Sequence, residues 1–308
     1  MKVRKELVQL ARKTLLESVP PDMHHRLARE LFEGYDLHEA TGFPATVPIP
    51  PQVSAQVIVD DALRRDRFLE LVELYVRLEK SGFMGRSCPI PQLREIFHLV
   101  GLEGFTWDQH TGMFMEDPRM RRTAGWGRIL PGEERRYSLL RIDIARNSRL
   151  VRTHKPTEVR RAFADLREML TRSVEDRGGR IWAWEGDGAL AAFHFGHATT
   201  SATLAGMALL HDLFLYNRFD NPLEEPLRIR SAVHTGPLRF TEDQVEIRRQ
   251  ETCKEAVELE ERCAPPDWLA ISAAVAPTLD RVLLDRFKPL ESKNAWLVYG
   301  YTVKMEGA

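Results

Sequence analysis

Leu139-Leu140-Arg141-Ile142-Asp143-Ile144 and Ile181-Trp182-Ala183-Trp184-Glu185-Gly186-Asp187-Gly188-Ala189-Leu190-Ala191-Ala192-Phe193 decide how this chain is read. The first is an apolar run that ends in a carboxylate, as a buried strand does. The second is two short apolar runs around a tight Glu-Gly-Asp-Gly turn, the pattern of a hairpin. Between them, residues 156–176 carry Val159, Phe163, Leu166, Leu170 and Val174 at spacings of four, three, four and four. That is one apolar helix face, and Gly178-Gly179 ends it. A strand, a helix and a hairpin in this order bring Asp143 and Asp187, 44 residues apart, side by side. Two carboxylates at one point suit a hard divalent cation, and such an ion would hold a nucleoside triphosphate.

Working outward, the pattern from 137 onward alternates strands and helices. It predicts strand 138–145, helix 156–176, strands 180–185 and 189–195, helix 198–218, strand 227–234, helix 249–263, strand 268–272, helix 273–279 and closing strands near 283–290 and 295–303. The leading β-α-β-β-α-β order is that of a ferredoxin-like or palm sheet with helices on one face. Upstream, the chain reads as mainly helical: 3–18, 22–33, one long helix over 53–80 and a short one over 91–100. The proline-rich stretch 41–51 must be extended, and 101–135 is glycine-punctuated and irregular. The fold class is therefore α+β, with a helical module over 1–135 followed by a palm-like domain over 136–308.

The net charge is -1, from 44 basic and 45 acidic residues. Such a balance gives no general attraction to nucleic acid or anionic lipid. No run approaches the ~18 apolar residues of a membrane span, and no signal-peptide core follows the basic start. Cys88, Cys253 and Cys263 have no zinc spacing and read as reduced thiols of a cytoplasmic protein. No G-x-x-x-x-G-K-[ST] or G-x-G-x-x-G element occurs, so phosphate would rest on metal and on turn backbone.

Over about 137–303 the sequence resembles a class III nucleotidyl cyclase catalytic domain (the adenylate/guanylate cyclase homology domain). Five segments carry the resemblance, in order. They are Arg141-Ile142-Asp143-Ile144; Gly178-Gly179-Arg180-Ile181; Glu185-Gly186-Asp187-Gly188 with Phe193; Ile229 to Gly236, ending His234-Thr235-Gly236; and Glu251 to Glu260 followed by Ala270-Ile271-Ser272. The resemblance implies Asp143 and Asp187 as ligands of two Mg²⁺ or Mn²⁺ ions, and a backbone carbonyl of Ile144 directed at the same ions. Gly186 would offer turn backbone to phosphate. It further implies a dimer, either of this chain or with a complementary cyclase-like chain, and formation of a 3′,5′-cyclic nucleotide with release of pyrophosphate. Such an enzyme would be a phosphorus–oxygen lyase.

The departures are as informative. The position of the family's base-reading Lys is Ala183, and that of its base-reading Asp is Ile247. The transition-state Asn and Arg fall at Lys254 and Glu258. Lys254 could replace a lost phosphate donor, but a Lys-Glu helical pair is the plainer reading, and Glu258 would repel a triphosphate. Three readings follow: a cyclase with unusual donors, the metal-bearing half of a heterodimer, or a catalytically inactive nucleotide-binding or dimerising regulator. A diguanylate cyclase fits less well, because no Gly-Gly-Asp/Glu-Glu-Phe run stands at the hairpin. His234 reads as a structural histidine. Trp182 and Trp184 are expected on one strand face, with Ala183 opposite. Arg248, Arg249 and Arg262 read as surface arginines.

Overall fold

The computed structural model describes residues 3–82, 85, 87–291 and 296–303. The chain divides into two compact units, Met1–Met120 and Arg121–Ala308.

The first unit begins with α1 (Lys5–Ser18), α2 (Pro21–Leu31), α3 (Leu37–Thr41), α4 (Pro51–Arg64), α5 (Phe68–Ser81) and α6 (Leu93–Leu102). A hairpin, β1 (Phe105–Asp108) and β2 (Met113–Glu116), follows inside the stretch expected to be irregular. Leu7, Ala11, Leu15, Leu27, Ile58, Leu71 and Tyr75 are fully buried in its core. The single helix expected over 53–80 is two helices. Asp66, at φ 55, takes the left-handed conformation that breaks a right-handed helix. No Gly or Pro marks the break, so hydrophobic period alone runs straight through it.

The second unit carries β3 (Glu134–Ile144), α7 (Asn147–Thr153), α8 (Pro156–Glu175), β4 (Arg180–Glu185), β5 (Gly188–Phe193), α9 (Ala198–Phe219), β6 (Ile229–Arg239), α10 (Gln244–Arg249), α11 (Glu251–Cys263), β7 (Trp268–Ser272), α12 (Arg281–Leu284), β8 (Lys288–Leu290) and β9 (Val298–Tyr301). The helix expected over 273–279 is a turn and one 3₁₀ turn, Ala276–Thr278. The sheet order is β4-β5-β3-β6-β7-β9-β8. Its first four strands are the palm order, with β3 central between the hairpin and β6; only β6 and β7 pair in parallel.

Strand alternation gives the sheet two different faces. Leu140, Ile142, Ile144, Ala189, Ala191, Phe193, Val233 and Ile271 face α8 and α9 and form the main core. Tyr137, Leu139, Arg141 and Asp143 alternate with these along β3 and lie on the opposite face. There α11 covers β6 and β7 through Leu259, Cys263, Ala232 and Ala270. Cys253 is buried on α11, and burial pushes its thiol up to about 11, so it packs as a protonated group.

Residues 121–133 strap the same face. Trp126 is fully buried, stacked on Tyr137 and edge-on to Trp182 and Phe195. Its Nε1–H donates to the Gly178 carbonyl at 2.7 Å. Trp182 Nε1–H donates back to the Ala124 carbonyl, and Arg180 Nε to that of Thr123. The strap ends in a two-way exchange: Gly132 N–H donates to the Phe240 carbonyl, and Phe240 N–H to that of Glu133. These bonds satisfy a loop that would otherwise bury bare backbone.

Candidate functional site

The register Ile142↔Ala189 sets the hairpin turn beside the end of β3, so Asp143 and Asp187 come from adjacent strands. Gly188 fits there because an added Cβ would lie 2.7 Å from the Ile142 carbonyl oxygen. Gly186, at φ 61, supplies the left-handed turn residue. Asp187 is half-buried and borders a small crevice with Ile142, Ile144 and Phe163, all residues of the α8 side.

Asp143 turns the other way. Directly across the ladder stands Arg230, whose Nη2 donates to Asp143 Oδ2. The same guanidinium places Nε 2.9 Å from Glu260 Oε1. Glu260 comes from α11 and is 1% exposed. Its other oxygen lies 3.9 Å from Arg141 Nε, and Arg141 Nη1 lies 2.7 Å from Glu185 Oε2. Arg248 of α10 closes the chain, with Nε 2.7 Å from Glu185 Oε1. Asp143, Glu185 and Glu260 thus alternate with Arg230, Arg141 and Arg248, and formal charge cancels.

Burial pushes Glu260 up to about 7, reinforced by Asp143 and Glu261 and opposed by Arg230 and Arg141. The ordinary value is 4.5, so the folded state holds this proton more tightly than the unfolded chain. The resulting stabilisation is complete below pH 4.5 and disappears as pH rises through about 7. Glu260→Gln should remove it. Urea unfolding of the natural protein should show a loss approaching about 3 kcal/mol between pH 5 and 8 that the variant lacks. Parallel pH profiles of the two proteins would refute this assignment.

Of the remaining residues singled out in the sequence, Ile144, Gly186 and Trp184 share the crevice with Asp187, Arg248 joins the charge network, and Ile247, Lys254 and Glu258 join neither. Ala183 is buried in β4, and a register shift between Ile181 and Ala183 leaves Trp182 as an extra residue. The shared-face expectation for the two tryptophans is corrected by this bulge. Trp182 joins the aromatic cluster under the strap, whereas Trp184 borders the α8 crevice with Arg167 over its ring at 5.2 Å. Ile247 is buried on α10. Lys254 is exposed, 3.8 Å from Glu251, and Glu258 meets Arg262 at 2.7 Å. Ile144 is buried and paired with Ile229. Arg248, read as a surface arginine, belongs to the charge network. Sequence reading also passed over Arg141, Arg230 and Glu260. Their signal was present: charged residues inside otherwise apolar strand and helix faces must find partners.

No family model matches the chain, and no curated protein matches it. Solved structures do match. A cyclase described as an adenylate/guanylate cyclase/hydrolase from Silicibacter pomeroyi is 22% identical, covering 56% of this chain and 99% of that one at a TM-score of 0.46. The guanylate cyclase domain of RhGC from Catenaria anguillulae, in complex with GTP, is 14% identical, covering 56% and 100% at 0.45. The adenylyl cyclase CyaB from P. aeruginosa is 14% identical, covering 57% and 98% at 0.46. Each likeness covers a little more than half of this chain, and the palm order β4-β5-β3-β6 stands on the strand pairing of the Arg121–Ala308 unit itself.

The donor set around Asp143 differs from the metal site that the sequence resemblance implies. Among the described residues no group of three or more His, Cys, Asp or Glu side chains is arranged to hold a metal. The nearest partner of Asp143 is a guanidinium, and a second guanidinium, Arg141, stands two residues before it on the same strand face. These residues fit an internal ion-pair chain and do not fit a two-ion centre. No helix among the described residues is long and apolar enough to cross a membrane.

Proposed function

We infer that the cyclase-like unit is a regulatory module that does not cyclise a nucleoside triphosphate by itself, and that it works by pairing with a second cyclase-like chain. One observation carries this reading: Arg230, held by buried Glu260, neutralises Asp143. A divalent ion at Asp143 would have to displace Arg230 and then sit beside Arg141. At about 4 Å, near a protein surface, two unit charges interact by roughly 4 kcal/mol, and a divalent ion doubles that. The family's transition-state positions add nothing to offset it, since Lys254 and Glu258 engage Glu251 and Arg262 on their own helix. Losing a single preorganised donor typically costs ~10²–10³ in rate.

The full chain should therefore release no cyclic nucleotide with Mn²⁺ or Mg²⁺ and any of the four triphosphates, measured by mass spectrometry of the products. Product from the pure chain, abolished by Asp187→Asn, would sink this reading and restore the two-aspartate metal site. Product only with an added cyclase-like partner would make the chain the metal-bearing half of a heterodimer. Thermal stabilisation by a triphosphate without turnover would make it a nucleotide-responsive regulator.

A further inference from the structure

A second constellation lies in the same unit, further along the sheet. His234 stands four residues beyond Arg230 on β6, about 13 Å along the strand. Its Nδ1 is 3.0 Å from Ser272 Oγ, and its Nε2 is 2.8 Å from Glu255 Oε2. Ser272 is the last residue of β7, brought beside His234 by the parallel β6–β7 pairing. Glu255 reaches over from α11. The three side chains open onto a pocket of about 210 Å³ whose other walls include Leu259, Trp296, Leu297 and Val298.

We propose that Ser272, His234 and Glu255 form a hydrolytic site for small uncharged carboxylic esters, separate from the Asp143 network. The geometry is that of a base within hydrogen-bond reach of a nucleophile on one side and of an orienting carboxylate on the other. Glu255 accepts from Nε2–H and thereby leaves Nδ1 as the lone-pair nitrogen facing Ser272. Ser272 is followed at once by the turn residues Ala273 and Ala274. No backbone carbonyl among the described residues accepts from their amide N–H groups. Ala273 and Ala274 line the same pocket, and in this proposal their amides receive the charge that develops on a carbonyl oxygen bonded at Ser272. The apolar walls and the single carboxylate select against anionic substrates.

The reaction balances without a cofactor. Ser272 Oγ bonds the ester carbonyl carbon as its proton passes to His234 Nδ1, and the C=O π pair moves onto oxygen. That pair then re-forms the C=O, the C–O bond to the alcohol breaks, and Nδ1 returns its proton to the leaving alkoxide. Water, deprotonated by Nδ1, attacks the acyl-serine; the acid departs and Ser272 regains its proton. Nothing is oxidised or reduced. Burial lowers the His234 pKa from its ordinary value, opposed by Glu255 and helped by Arg136 of β3, which favours the neutral ring with a free lone pair.

The test uses the full chain, a fluorophosphonate probe and p-nitrophenyl butyrate. Intact-protein and peptide mass spectrometry should find one phosphonylated residue, Ser272. Ester turnover should fall about 10²–10⁴-fold in His234→Gln and at least as far in Ser272→Ala. Glu255 is a positioning residue: Glu255→Gln should lower kcat and move the acid limb of the pH profile downward, because the carboxylate that raises the His234 pKa is gone. A structural role for Glu255 would leave that limb in place. Absence of labelling in the natural protein, labelling at another residue, or undiminished turnover in Ser272→Ala would each overturn the proposal. The labelling experiment needs no variant, so a failure of folding cannot obscure it.

Discussion

Trp126→Ala should cost the Arg121–Ala308 unit about 4 kcal/mol of unfolding free energy and lower its melting temperature by about 8–16 °C. The indole is fully buried and meets four aromatic rings, Tyr137, Trp182, His194 and Phe195, with the Arg180 guanidinium over its face. Truncation leaves a ring-sized cavity and strands the Gly178 carbonyl that Nε1–H serves. Trp126→Phe should recover most of the loss, leaving about 1 kcal/mol for the missing hydrogen bond. The backbone at φ 53 is unchanged in either variant, so the comparison isolates the side chain. Thermal melts followed by circular dichroism decide it. A fall below about 1 kcal/mol for the alanine variant would mean that the strap adheres without this anchor.

Arg141→Met should cost about 3–5 kcal/mol, the usual range for removing one partner of a buried ion pair. The side chain is 9% exposed, and its loss leaves Glu185 with only Arg248 and Glu260 with only Arg230. Methionine keeps the aliphatic bulk, so the measured loss reports charge and not a void. Adding Glu260→Gln to Arg141→Met should recover part of it. The double-mutant cycle should show a coupling of about 0.5–3 kcal/mol. Urea denaturation of the four proteins tests this, and strict additivity would show that the two residues do not share a network.

Both predictions concern the sheet face turned away from α8 and α9, and that face is where sequence reading was weakest. The period-2 pattern of β3 and the Glu-Gly-Asp-Gly turn fix strand identity and hairpin because they depend only on neighbours. The spacings of α8 do the same for its buried stripe. The bulge at Trp182 reversed the face of one tryptophan, since a single extra residue shifts every side chain after it and leaves no mark in composition. The hairpin Phe105–Glu116 lay hidden among glycines for a similar reason: two short strands give too few repeats to show a period.

Local pattern therefore determined the β-α-β-β-α-β order, the central place of β3 and the approach of the Asp143 and Asp187 strands. What the carboxylates do there was decided across the chain. Arg230 is 87 residues from Asp143, and Glu260 is 30 residues further on. Strand β6 and helix α11 deliver them to one point only when the sheet closes. Ser272 and His234, 38 residues apart, meet for the same reason. Helical and strand periodicity act over a few residues, whereas the cost of burying a charge is met by whichever opposite charge the finished fold brings within about 3 Å.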